Sequence, residues 1–191
     1  MNAEGLHLIN GLAEHSWVLD HLMAFSAQYL VFFAVPLLLV LWFWPFSAET
    51  RAANQRIALA TSLAIVLALS LAHVLARLDH DARPFASDPA TRLLIHHTAD
   101  NSFPSDHATL AFAVGATIVW WRRVMGLAAL VAAFLIAFAR VFVGVHWPED
   151  VVAGAMTGLL VGTVMAWSVP LLKRPQRLVT RAFPPWLVAP P

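Results

Sequence analysis

Apolar residues run in long blocks along this chain, and short polar or aromatic stretches bound each block. Crossing a hydrocarbon layer about 30 Å thick takes roughly 20 mostly apolar residues. Five blocks reach or approach that length: residues 25–44, 57–76, 107–121, 124–142 and 151–172. The third is short unless it starts near Pro104. Pro36 lies inside the first and predicts a kink there, or one absorbed by neighbouring helices. Before it, residues 6–23 mix Leu, Ile and Trp with His, Glu and Asp, the pattern of an interfacial amphipathic helix. The pattern predicts an all-α, polytopic transmembrane helix bundle of about five spans plus that N-terminal helix.

Composition agrees. Hydrophobic residues make up 60% of the 191 positions and charged residues 12%, far from a soluble globular balance. There is no cysteine, which excludes disulfides, thiolate metal sites and cysteine nucleophiles. No Lys or Arg precedes Phe25, so the start does not read as a cleavable signal peptide. The length predicts one transmembrane domain, residues 1–182, followed by a Pro-rich disordered tail, 183–191. A nucleic-acid partner is not expected, and no obligate protein partner is inferred.

The distribution of charge orients the bundle. Eight of the twelve basic residues lie in three places: Arg51 and Arg56; Arg122 and Arg123; and Lys173, Arg174, Arg177 and Arg181. With five spans all three fall on one side, expected to be cytoplasmic. Trp42, Trp44, Trp120, Trp121 and Trp167 gather near the same ends as an aromatic belt. Of eleven acidic residues, Glu49 alone shares that side. The C-terminus is therefore expected inside and the N-terminus outside. The connections 77–107 and 140–150 then emerge together at the outer face and can build one site.

Those two connections carry the chemistry. In Arg140-x5-His146-x3-Asp150, one cation can hold an anion, one imidazole can attack phosphorus, and one carboxylate can steer the imidazole. Pro148 suits the first position of a helix, which leaves Asp150 in the first turn, where the dipole favours its anion. His107, in Pro104-Ser105-Asp106-His107, is the candidate general acid for the leaving oxygen. Ser105 is a candidate helix cap or phosphate donor. Arg83 and Arg140 supply planar paired donors that match non-bridging phosphate oxygens, with Arg77 a further clamp candidate. Asp79, His80, Asp81, His96 and His97 follow no strong metal-ligand spacing, so neither metal nor cofactor is expected, and a short amphipathic helix is expected near residues 89–97.

These residues resemble the type-2 phosphatidic acid phosphatase superfamily, whose three motifs read Lys-x6-Arg-Pro, Pro-Ser-Gly-His and Ser-Arg-x5-His-x3-Asp. Here they appear as Arg83-Pro84, Pro104-Ser105-Asp106-His107, and Ala139-Arg140 through His146 to Asp150. The resemblance implies that His146 is the nucleophile, Asp150 its partner and His107 the acid, with the arginines on phosphate. Ala76 stands where the motif has lysine, with Arg77 one residue on; Asp106 replaces the motif glycine and Ala139 its serine.

The stretch Ser102-Phe103-Pro104-Ser105-Asp106-His107-Ala108-Thr109 is similar to the bacitracin-resistance branch of undecaprenyl-diphosphatases, as are Asn10-Gly11-Leu12-Ala13 and Leu19-Asp20. That branch implies a metal-independent hydrolase of a polyprenyl diphosphate at the outer face of the bacterial cytoplasmic membrane. It would recycle the carrier lipid for peptidoglycan synthesis and act in bacitracin resistance. Two alternatives share the residues: a phosphatase for phosphatidylglycerol phosphate, phosphatidate or a lipid A phosphate, and a small membrane transporter using the buried Arg and His side chains as a path.

Overall fold

The computed structural model describes residues 2–44 and 47–181, and among these every regular element is helical. The chain enters through α1 (Asn2–Asn10) and α2 (Trp17–Gln28), then passes a 3-10 turn into α3 (Ala34–Phe43). There follow α4 (Ala48–Leu75), the single turn α5 (Pro84–Ser87), α6 (Asp106–Val119), α7 (Arg123–Phe142), α8 (Pro148–Ser168) and α9 (Lys173–Arg181). The segment expected to form a disordered tail lies outside the described residues.

Among the described residues three helical stretches are long and apolar enough to cross a membrane: Glu49–Leu75, Arg123–Phe142 and Pro148–Thr180. Trp17–Gln28 and Leu30–Phe43 together make a fourth, bent by 53°. The expected third span begins at Asp106, beyond Pro104, so it stays at 14 residues. That is about 21 Å, short of a full crossing. By length and apolarity three to four stretches of the described residues qualify, with Asp106–Val119 a shorter apolar helix in the place of the expected third span.

The bend also falls elsewhere than expected. It lies at Tyr29–Phe33, ahead of Pro36, which occupies the first turn of α3, where a missing N–H costs little. Nor is 6–23 one helix. It breaks between Asn10 and Trp17, where Glu14 takes φ 64° and its N–H donates to Asp20 Oδ1 at 3.1 Å. Ser16 caps α2 through Leu19 N–H. No helix forms at 89–97; the only helical turn in that connection is α5, started by Pro84.

The short α6 is the centre of the bundle, packed against α8, α7 and α4. Being covered all round, it is apolar all round, and most of the stretch from Ala108 to Ile118 is buried. Its contact with α8 is backbone to backbone. A Cβ at Gly154 would stand 2.6 Å from the carbonyl oxygen of Ser105, and one at Gly158 only 2.4 Å from that of Thr109. Small residues spaced by four let the two helices close to this distance. The N-termini of α6 and α8 are thereby clamped together, sealed by Ser105 N–H donating to the Asp150 carbonyl at 3.1 Å.

Asn10 locks the outer connections onto this frame. Its amide donates to the carbonyls of Arg92 and Phe142, both at 2.8 Å, and accepts from Arg92 N–H at 2.9 Å. Gly144 turns the chain out of α7 with φ +81°, against the carbonyl of Arg92, where a Cβ would sit 2.5 Å away. That left-handed turn aims the next residues back towards the bundle.

Candidate functional site

The end of α4, the starts of α6 and α8 and the end of α7 meet at one end of the bundle. Between them lies a cavity of about 330 Å³ whose walls include Arg83, Arg140, His146, His107, Asp106 and His73. His146 stands in the short connection between α7 and α8, 3% exposed. Its Nε2 faces two guanidiniums, Arg140 Nη2 at 3.2 Å and Arg83 Nη1 at 3.4 Å. Its Nδ1 faces the other way, 3.4 Å from Asp150 Oδ2 and 3.3 Å from Ser102 Oγ. Guanidiniums can only donate, so Nε2 keeps its lone pair and Nδ1 carries the proton.

Burial pushes His146 well below the ordinary imidazole range, and the charges of Arg140 and Arg83 push the same way. The ring is therefore neutral at neutral pH. Asp150, fully buried in the first turn of α8, accepts on Oδ2 from Trp147 N–H at 2.8 Å and from the Ser102 hydroxyl. These donors fix the carboxylate against the imidazole from behind.

The two arginines are held differently. Arg83 is anchored on every side: Nε donates to Asp100 Oδ1 at 2.6 Å, Nη1 to the Val145 carbonyl at 2.8 Å and Nη2 to the Asn101 carbonyl at 3.2 Å. Partial burial would raise the Asp100 carboxyl, but the bond to Arg83 and its charge hold it below the usual carboxylate range. Arg140 is 3% exposed, and among the described residues no carboxylate lies within ion-pair distance of it. It donates to the Ala27 carbonyl at 3.2 Å and to His97 Nε2 at 3.1 Å, and its Nε has no partner among the described residues. A buried cation without a counter-charge is costly unless an anion comes to it.

The fold brings His146, Asp150, His107, Arg83 and Arg140 into one place across sequence separations of up to 67 positions. It does not bring in Arg77, which lines the outer side of α4 while Ala76 lines the cup. Side chains turn by about 100° per residue on a helical path, so one position off register faces a different direction. Ser105 is fully buried at the head of α6. Its hydroxyl makes no cap bond and has no partner among the described residues. Asp79, His80, Asp81, His96 and His97 form no metal-holding group among the described residues. His97 instead serves Arg140.

Four residues entered the site unannounced: Ser102, Asp100, Asn101 and His97. Their signal in the sequence is weak: a polar run just before Phe103, with no spacing that ties it to Arg83, Arg140 or His146. Asn101 is its hub, accepting from Asp81 N–H and Phe103 N–H and donating to the carbonyls of Ala76 and Asp79.

Fold and cup define a helical membrane protein with a histidine held beneath two guanidiniums, a pocket made for an oxyanion. Residues 55–174 match the PAP2 superfamily, and the chain belongs to that family. It is 34% identical over 173 residues to the bacitracin transport permease protein BcrC of Bacillus licheniformis, covering 90% of this chain and 82% of that one. It is 29% identical over 183 residues to the undecaprenyl-diphosphatase BcrC of Bacillus subtilis, covering 96% and 92%. Among solved structures, it shares the fold of a transmembrane PAP2-type phosphatidylglycerolphosphate phosphatase from Bacillus subtilis. There the TM-score is 0.68 with 21% identity, over 90% of this chain and 88% of that one.

Proposed function

We propose that this chain removes the terminal phosphate of undecaprenyl diphosphate, giving undecaprenyl phosphate and inorganic phosphate through a phosphohistidine on His146. The observation that carries the reading is the lone pair of His146 Nε2 lying beneath Arg83 and Arg140, the latter a buried cation awaiting an anion. The name of the Bacillus subtilis relative supports the choice of lipid. The Bacillus licheniformis relative is named for transport. Here the ionisable side chains of the cavity gather at one end of the bundle, which favours a reaction at that end over a path through it.

In this reading Nε2 attacks the terminal phosphorus, and the bond from phosphorus to the bridging oxygen breaks. His107 protonates that oxygen as it leaves on the lipid phosphate. Asp150, with Ser102 beside it, stabilises the positive charge that forms on the imidazole. Water then attacks the phosphohistidine, passing its proton to His107, and the P–N bond breaks to release phosphate. The guanidiniums neutralise the non-bridging oxygens throughout, which is where most catalysis of phosphoryl transfer lies.

The site opens at the outer face of the bacterial cytoplasmic membrane, and the C-terminus is cytoplasmic. This placement is supported by Arg51, Arg56, Arg122, Arg123 and the basic α9, all at the opposite end of the bundle from the cup. Carrier lipid returned this way serves peptidoglycan synthesis, and its supply bears on bacitracin resistance. The test is phosphate release from undecaprenyl diphosphate by the purified chain, with and without chelator. The expected result is turnover in both, abolished in His146→Ala; wild-type turnover in that variant would overturn the mechanism.

A further inference from the structure

The donors around His146 suffice for one phosphate, but a diphosphate brings two. Elsewhere in the cavity most polar groups are committed or of the wrong charge. Asp100 and Asp106 are carboxylates. The Asn101 amide donates to Ala76 and Asp79. His97 accepts from Arg140 on Nε2, and its Nδ1 lies 3.1 Å from the Thr98 carbonyl, so its single N–H is spent. On the α4 wall, Ala76 offers a methyl group. One turn earlier stands His73, which lines the same cavity. Its Nδ1 lies 2.8 Å from the Leu69 carbonyl, to which it donates, leaving Nε2 for the cavity. Asp106 lines the same cavity.

His73 also walls a second, open cavity of about 490 Å³ along the outer side of α4, shared with Val66, Leu69, Ser70 and Val74 and bounded at its polar end by Arg77. It therefore stands where the polar cup gives way to an apolar helix surface. An ionisable side chain so close to a span marks function more often than packing.

We infer that His73, doubly protonated when the diphosphate is bound, holds the phosphate that stays on the lipid: Nδ1–H remains on the Leu69 carbonyl and Nε2–H donates to a non-bridging oxygen, while the prenyl chain leaves the cup along Val66, Leu69 and Val74. This rests on the diphosphatase reading above. Two phosphates are thereby read by two separate groups: the terminal one by Arg83 and Arg140, the lipid-side one by His73. A monophosphate product occupies only the second place, and a free oxyanion such as vanadate only the first.

The experiment uses the full-length protein in detergent micelles with a short prenyl diphosphate as substrate. It compares inhibition by prenyl monophosphate with inhibition by orthovanadate, in wild type, His73→Gln and His73→Lys. In His73→Gln, KM and the Ki of prenyl monophosphate should each rise about tenfold, the scale of one charge-assisted hydrogen bond. The Ki of vanadate should move less than about twofold on the same reasoning, and His73→Lys should restore both lipid constants by returning a cation. Equal weakening of both inhibitors, or no change in either, overturns the inference while leaving the reaction standing. A wild-type protein that does not turn over the diphosphate overturns the reaction itself.

Discussion

The hydroxyl of Ser102 lies 3.3 Å from Nδ1 of His146 while it donates to Oδ2 of Asp150. The imidazole proton thus has two acceptors, the hydroxyl and the carboxylate at 3.4 Å. Replacing Ser102 by Ala leaves the carboxylate one donor short and the ring free to tilt. The expected fall in kcat is about tenfold, or roughly 1.4 kcal/mol, with KM little changed. Steady-state kinetics on the purified variant measures it, and unchanged kcat would remove Ser102 from the reaction.

Arg140 and Arg77 should part company. The fork of Arg140 reaches Ala27, His97 and His146 at once, a geometry lysine cannot copy. Arg140→Lys should lose about 10²-fold in kcat/KM, the scale of one misplaced donor to a developing oxyanion. Arg77→Ala, outside the cup, should stay within about twofold, as exposed charges usually do. A large loss in Arg77→Ala would mean that α4 turns on binding substrate.

The pH profile follows from the burial of His146. Its folded pKa is depressed, so the ring proposed to attack stays neutral to well below the ordinary value of about 6.5. The acid limb of kcat/KM should therefore fall well below that value, and an acid limb centred there would contradict a buried neutral nucleophile. Stability carries the same sign. Below about 6.5 the unfolded chain binds a proton at this histidine that the folded protein refuses, so stability is full above that pH and declines as pH falls. His97, lowered first by burial and then by Arg83 and Arg140, adds to the same trend. Thermal unfolding across the acid range reads it.

Gly158 should tolerate no side chain. A Cβ would stand 2.4 Å from the Thr109 carbonyl and 2.8 Å from the Ala113 N–H nitrogen, both backbone atoms that cannot swing aside. Gly158→Ala is expected to cost about 1–3 kcal/mol, seen as a lower Tm in detergent. It should also reduce activity, because α8 carries Asp150 and α6 carries His107. A variant as stable as wild type would mean that the two helices do not pack this closely in the membrane.

The chain's own pattern determined the class of protein. Apolar blocks place α7, α8 and the end of α4 to within a few residues, because burial in lipid demands a hydrophobic run that any window along the chain can register; α4 itself starts nine residues ahead of its block, at Ala48. His146 and Asp150 were legible for a local reason: an i, i+4 pair at a helix start must meet whatever the rest of the fold does. Tertiary structure decided everything that depends on how helices rotate and where connections cross. It placed the bend before Pro36 rather than at it, left Arg77 outside the cup, and brought Ser102, Asp100 and His97 against residues 17 to 48 positions away. Such contacts leave no periodic trace, since polar residues in a connection look alike whether they face water or a buried guanidinium. Only the close approach of α6 and α8, with the turn at Gly144, separates the two cases.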